Sequence, residues 1–186
     1  MRVLGVDPGV ARTGVAIVDG EPGALRLIHA ECLETEPGPV DAERLAALFS
    51  ALELLVAAHR PGAAAVEQLF FASNRRSAMR VGQARGVVLC ALARAGVSVA
   101  EYTPLQVKEA VAGWGGAGKA QVSRMTRALL EVDDIPGSDD VTDACAVAVC
   151  HQHRARLSSV TRRQAGGGAV AQRLAEAIAR ASATSP

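Results

Sequence analysis

The sequence predicts an α/β fold: a mixed five-stranded sheet, its first three strands antiparallel, flanked by helices. Three observations carry this expectation. Short apolar runs stop abruptly at turn residues or acids, at Asp7-Pro8-Gly9 and again at Glu67. Apolar residues recur at helical spacing between 41 and 59 and between 77 and 95. The order of these segments is β-β-β-α-β-α-β. With 186 residues, one domain with a sizeable core is expected, placed here at residues 1–156, followed by a basic tail over 157–186.

Arg2–Val6 reads as a strand that ends at Asp7, where Pro8 and Gly9 force a turn. Thr13–Val18 returns as its hairpin partner, and Leu25–Leu33 supplies the third strand. Glu34–Pro39 is a polar loop. Leu45, Leu48, Leu52, Leu55 and Val56 make Asp41–His59 a helix, which Pro61-Gly62 terminates. Ala63–Val66 is a short buried strand stopping at Glu67, and Gln68–Arg76 is a loop carrying Phe70, Phe71, Arg75 and Arg76. Ser77–Ala95 is a long apolar helix with Gly82 and Gly86 four apart, a spacing that suits close backbone approach to the sheet or to another subunit. Val97–Tyr102 is the fifth strand, and Thr103-Pro104 opens a helix bearing Lys108. Gly113–Lys119 is a glycine-rich loop. It lacks the spacing and the Ser/Thr after Lys of a nucleotide-binding P-loop, and it follows a helix rather than a strand. Ala120–Leu130 and Asp139–His153 are the last core helices. His151 and His153, two apart, do not share a helix face and read as surface residues rather than a metal pair. Ser158–Gly168 has the composition of a linker, and Ala169–Ala183 that of a weak amphipathic helix in a disordered or partner-ordered tail.

Composition excludes several classes. The chain is 49% hydrophobic, yet no apolar run approaches the roughly 18 residues of a membrane span. Met1 leads directly into a strand without a signal-peptide pattern, so a cytoplasmic location is expected. Cys32, Cys90, Cys145 and Cys150 show no paired metal spacing and read as reduced core thiols. The net charge of +1 conceals an asymmetry: residues 1–153 sum to −4 and 154–186 to +5. A nucleic-acid partner therefore needs a local basic surface. Of the 20 basic residues, only Lys108 and Lys119 are lysine. A compact ammonium is not interchangeable with a guanidinium, so function is favoured for both lysines over chance survival on the surface. Two of the five aromatics, Phe70 and Phe71, stand side by side beside Arg75 and Arg76. That combination suits core packing, and it also suits one ring stacking on a base while arginine holds phosphate.

Four acids stand at element ends: Asp7 and Glu67 after strands, Asp140 and Asp143 one turn apart at a helix start. Each has an ordinary explanation. Asp7 suits a turn, Glu67 a solvated strand edge, and the helix acids the macrodipole. That last explanation suffices for Asp139. It serves Asp143 less well, because the helix continues as the apolar run Ala144–Cys150. If the four converge, their repulsion calls for cations, and oxygen-only ligands suit Mg²⁺ or Mn²⁺. Two such ions serve in-line phosphodiester hydrolysis. No Ser-His or Cys-His arrangement offers a competing nucleophile.

Taken together, Val3–Gly9 with Thr13-Gly14, Val66–Phe70, Gly82–Gly86, Gln106–Lys108, Gly118-Lys119 and Asp140–Ala144 closely resemble the RuvC family of bacterial Holliday junction resolvases. The resemblance covers about residues 1–156 and implies a ribonuclease H-like fold. It implies Asp7, Glu67, Asp140 and Asp143 as catalytic, metal-binding acids for two Mg²⁺, with Mn²⁺ as a substitute. It implies Lys108 and Lys119 as DNA contacts and Phe70 as the aromatic that probes the junction. The activity it implies is paired symmetric nicking of four-way DNA junctions in recombination and repair, leaving 5′-phosphate and 3′-hydroxyl ends. A homodimer with the Ser77–Ala95 helix at or near the interface is implied as well, and RuvA–RuvB branch-migration proteins as partners. The tail beyond about residue 157 has no clear counterpart. Three alternatives compete: an actin-like ATPase, a catalytically dead junction-binding module, and a nuclease for RNA–DNA hybrids. The chain lacks the second domain and second phosphate hairpin of the first. Its four acids disfavour the second, and its Phe70 loop and long interface helix disfavour the third.

Overall fold

The computed structural model describes residues 1–35, 41–68 and 75–164. Its elements are β1 (Val3–Asp7), β2 (Arg12–Glu21), β3 (Ala24–Glu34), α1 (Asp41–His59), β4 (Ala63–Glu67), α2 (Arg75–Arg94), β5 (Ser98–Tyr102), α3 (Pro104–Ala112), α4 (Lys119–Leu130) and α5 (Asp139–Gln164). The strands form one sheet in the order β3-β2-β1-β4-β5. Pairing is antiparallel among β1, β2 and β3 and parallel from β1 through β4 to β5, so the mixed sheet expected from the sequence is the one observed.

Strand alternation sorts the side chains onto two faces. On one, Leu4, Val6, Val15, Ile17 and Val66 meet Leu48, Leu52 and Leu55 of α1 and Val88 and Leu92 of α2. On the other, Val3, Ala16, Val18 and Ala65 meet Val107 of α3, Val122 of α4 and the Ala144–Cys150 run of α5. Each fully buried Leu or Val among them contributes about 1.5–3 kcal/mol. The apolar run of α5 fits a helix packed on nearly all sides.

Two glycines bring α5 onto the sheet. A Cβ at Gly5 would overlap the Ala144 carbonyl oxygen and crowd Ala148, and one at Gly14 would overlap the Asp140 carbonyl oxygen. Helix backbone therefore rests directly on strand backbone at both points. Gly14→Ala is expected to destabilise the fold by about 1–3 kcal/mol through overpacking, read as a lowered urea midpoint with an unchanged slope. A wild-type midpoint would show that the helix can lift away freely.

The start of α3 follows local sequence rules. Thr103 caps it, its side chain accepting from the Gln106 amide while the Gln106 side chain accepts from the Thr103 amide, and Pro104 occupies the first turn.

Several expectations are corrected. The loop read over 68–76 ends earlier, because Arg75 and Arg76 already belong to α2. Helix propensity there was hidden by the Asn74-Arg75-Arg76 polarity. The linker read from Ser158 is helical through Gln164. His151 and His153 are not free surface residues: His151 Nδ1 lies 2.9 Å from the Tyr102 hydroxyl, and His153 Nδ1 lies 3.0 Å from the Ala110 carbonyl oxygen. Cys145 and Cys150 are buried thiols as expected, but Cys32 is only half-buried and Cys90 is exposed on α2. Among the described residues, nothing lies within 4 Å of a Cβ built at Gly82 or Gly86, so their spacing does not serve close approach to the sheet. Among the described residues, no helix is long and apolar enough to cross a membrane. Two compact units divide the chain, Met1–His153 and Arg154–Pro186. The first holds the whole sheet, and the second is helical through Gln164.

Candidate active site

Strand register builds the site. Val6 pairs with Val66 in parallel, so Asp7 and Glu67, the next residues, leave neighbouring strands at the same end of the sheet. They share a face with Gly5 and Ala65, two residues back, and that is the face covered by α5. Asp7 also pairs with Gly14, whose missing side chain lets the Asp140 backbone touch β2. The first turn of α5 is thereby held beside Asp7, with Asp143 one turn further on. All four sequence-predicted acids are brought to one end of the sheet.

Their electrostatics record that convergence. Burial, reinforced by Asp143 and Asp140, raises the Asp7 carboxyl to about 6. Burial, then Asp7 and Asp143, raise Glu67 to about 8. Asp7 raises Glu67 while Glu67 lowers Asp7, so Glu67 is the carboxyl of the pair that keeps its proton to higher pH. One proton is thus shared by the pair between those two values. Burial also raises Asp143, against the opposing pull of Lys119.

Cationic side chains hold the remaining acids. Lys119 Nζ lies 3.2 Å from Asp139 Oδ2 and 3.3 Å from Asp143 Oδ2. Desolvation works against its charge, but Asp143 and Asp139 outweigh it and raise the pKa. Arg12 Nε donates to Asp140 Oδ2 at 2.9 Å with Nη2 on the same oxygen, and Ser138 Oγ donates to it at 3.0 Å. A cavity of about 230 Å³ opens beside the cluster, lined by Glu67, Asp143, Lys108, Lys119 and Pro104. Both lysines singled out in the sequence therefore line the same cavity as Glu67 and Asp143. Phe70 lies outside the described residues, as do the side chains of Arg75 and Arg76.

The donor set fits a divalent cation in kind: it is all oxygen, and two of the carboxyls must share a proton in place of a positive charge. Among the described residues, no three acids are closed around one point as ligands of a single ion. Lys119 holds Asp143 and Arg12 holds Asp140 instead. Arg12, Ser138 and the Asp139 contact were missed by sequence reasoning. Asp140 is 128 residues from Arg12, and the only hint was that Arg12 adjoins the Thr13-Gly14 pair facing Asp7.

Strand-end carboxylates on a mixed sheet, completed by acids in the first turn of a packed helix, define a ribonuclease H-like, metal-dependent phosphodiesterase class of site. Residues 3–151 match the family model described as crossover junction endodeoxyribonuclease RuvC. The crossover junction endodeoxyribonuclease RuvC of Pelotomaculum thermopropionicum is 50% identical over 153 residues, covering 82% of this chain and 93% of that one. Its counterpart in Roseiflexus is 49% identical over 156 residues, 84% of this chain and 93% of the relative. Among solved structures, Thermus thermophilus RuvC in complex with a Holliday junction substrate superposes with a TM-score of 0.81 at 37% identity, covering 85% of this chain and 96% of that one. Yeast mitochondrial Ydc2, at 12% identity and a TM-score of 0.60 over 82% of this chain and 79% of its own, shares the fold alone. The chain belongs to the RuvC family of crossover junction endodeoxyribonucleases. Membership implies dependence on a divalent metal ion.

Proposed function

We propose that this enzyme resolves Holliday junctions in the cytoplasm during recombination and repair, through a carboxylate site formed by Asp7, Glu67, Asp140 and Asp143. The observation that supports this most is the convergence of all four acids at one end of the sheet, on the face shared with Lys108 and Lys119. Two Mg²⁺, with Mn²⁺ able to substitute, would be held by these four acids and would supply water activation and stabilisation of the leaving 3′ oxygen. The chain's own groups do the rest. β1 and β4 hold Asp7 and Glu67 rigidly, and the pair would give up its proton to hold cations. Lys119 would then turn from Asp139 and Asp143 toward the phosphate backbone, beside Lys108 in the same cavity. Hydrolysis leaves 5′-phosphate and 3′-hydroxyl ends that can be religated. Phe70 probes the junction, with Arg75 and Arg76 holding phosphate. The chain works as a homodimer, each subunit nicking one of two like-polarity strands. Gly82 and Gly86 of α2, with no described neighbour within 4 Å of a built Cβ, suit close approach by a second copy. RuvA–RuvB branch-migration proteins are the expected further partners.

The test is cleavage of a synthetic four-way junction against a linear duplex of the same sequence, with Mg²⁺ and with EDTA. Paired symmetric nicks on the junction, only with metal, are expected. Junction binding without nicks would leave a recognition module, and equal cutting of both substrates would remove the junction preference. Lys119→Ala is expected to slow cleavage by about 10²-fold. It should also make the salt dependence of binding shallower by about one phosphate contact. An unchanged rate and slope would reduce Lys119 to a partner of Asp139.

A further inference from the structure

A second basic hollow borders the carboxylates. A groove of about 490 Å³ is lined by the hairpin turn Gly9–Arg12, by Arg44 of α1, by Arg80 of α2 and by Asp140. Asp140 borders this groove while Asp143 borders the Lys108/Lys119 cavity, so the acids stand between the two. Three guanidinium groups line this one hollow, and Asp140 holds that of Arg12. Arg44 is held in place: its Nε donates to Thr35 Oγ1 at 2.9 Å, and that hydroxyl donates to the Val10 carbonyl oxygen at 2.6 Å. Hydrogen bonds thus tie α1 to the groove floor and orient Arg44 before any ligand arrives. A preoriented planar fork suits a phosphodiester oxygen pair better than a free ammonium does.

We propose that this groove seats a phosphodiester of the DNA strand flanking the cut, gripped by Arg44 and Arg80, and that Arg12 transfers from Asp140 to that phosphate as it seats. The inference rests on the junction-nuclease reading above and deepens it. Arg12 exchanges one anionic oxygen for another, so the transfer keeps its charge-assisted hydrogen bonds. It also frees the Asp140 carboxylate to accept a cation. Substrate and metal then favour one another's binding through a single side chain, as linkage requires.

The test uses the full-length protein and a labelled four-way junction in EDTA, with binding followed by fluorescence anisotropy across a salt series. Arg80→Gln, at an exposed position, is expected to weaken binding several-fold and make the slope of log K against log salt shallower by about one. Wild-type affinity and slope in that variant would overturn the groove. Arg12→Gln is expected to bind Mn²⁺ several-fold more tightly than wild type in calorimetry without DNA, because the competitor for Asp140 is gone. Equal Mn²⁺ affinity would overturn the transfer. A wild-type chain that binds no junction would overturn the resolvase reading and the groove with it. A wild-type chain that binds normally beside an unaffected Arg80→Gln would remove the groove alone.

Discussion

Glu67→Gln is expected to cut junction cleavage by about 10³-fold or more, because losing one carboxylate from the proposed two-ion site would forfeit several kcal/mol of transition-state stabilisation. Binding of the junction in EDTA should be unchanged or tighter. The amide removes negative charge from a surface that meets a polyanion. Asp7→Asn should behave alike, since Asp7 stands next to Glu67 at the same sheet end. Asp143→Asn is the more discriminating variant. A macrodipole role alone would leave cleavage intact and cost about 0.3–1 kcal/mol of stability. A catalytic role predicts the full loss of rate at nearly unchanged stability. Gel assays of nicking, paired with anisotropy of the uncleaved complex, separate the two outcomes.

Without divalent metal, the protein is expected to lose stability as pH rises from about 5.5 to 8.5, and Mg²⁺ should restore it at the alkaline end. The sign follows from the acids. Glu67 titrates near 8 in the folded chain against 4.5 as a free side chain, and Asp7 near 6 against 3.8. Between those limits the folded state binds more protons than the unfolded one, so raising the pH favours unfolding. Both groups retain some solvent contact, which screens the cost. A fall in Tm on the order of 5 °C is the corresponding effect for a chain of this size. Adding Mg²⁺ supplies the missing positive charge and stabilises by mass action. Glu67→Gln should flatten the pH profile, because its amide cannot ionise. Thermal melts at the two pH values, in EDTA and in Mg²⁺, measure all of this. A flat wild-type profile in EDTA would mean that Asp7 and Glu67 are well hydrated and do not share a proton.

Much of this was legible in the residues, and for definite reasons. The strand end at Asp7 follows from turn chemistry after a short apolar run, and that at Glu67 from the short apolar run Ala63–Val66 meeting an acid, both local properties. The burial of α5 follows from its unbroken apolar run, and the Thr103 cap from a four-residue pattern. The scarcity of lysine pointed to Lys108 and Lys119, and both line the acid cavity. Other features had no local signal. The Tyr102–His151 contact joins residues 49 apart, and the Arg12–Asp140 pair joins residues 128 apart. Gly14 looked like part of a hairpin motif, yet its function is to admit the Asp140 backbone.

The sequence by itself singled out the candidate acids and lysines and located the strand ends at Asp7 and Glu67, while β2 runs on to Glu21, past the Val18 read from the sequence. Only the tertiary structure decided which charges face one another. Lys119 between Asp139 and Asp143, Arg12 on Asp140, and the proton shared by Asp7 and Glu67 all depend on sheet register and on how closely α5 can approach it. Electrostatic interaction depends on separation in space and on burial, and neither is encoded by position along the chain.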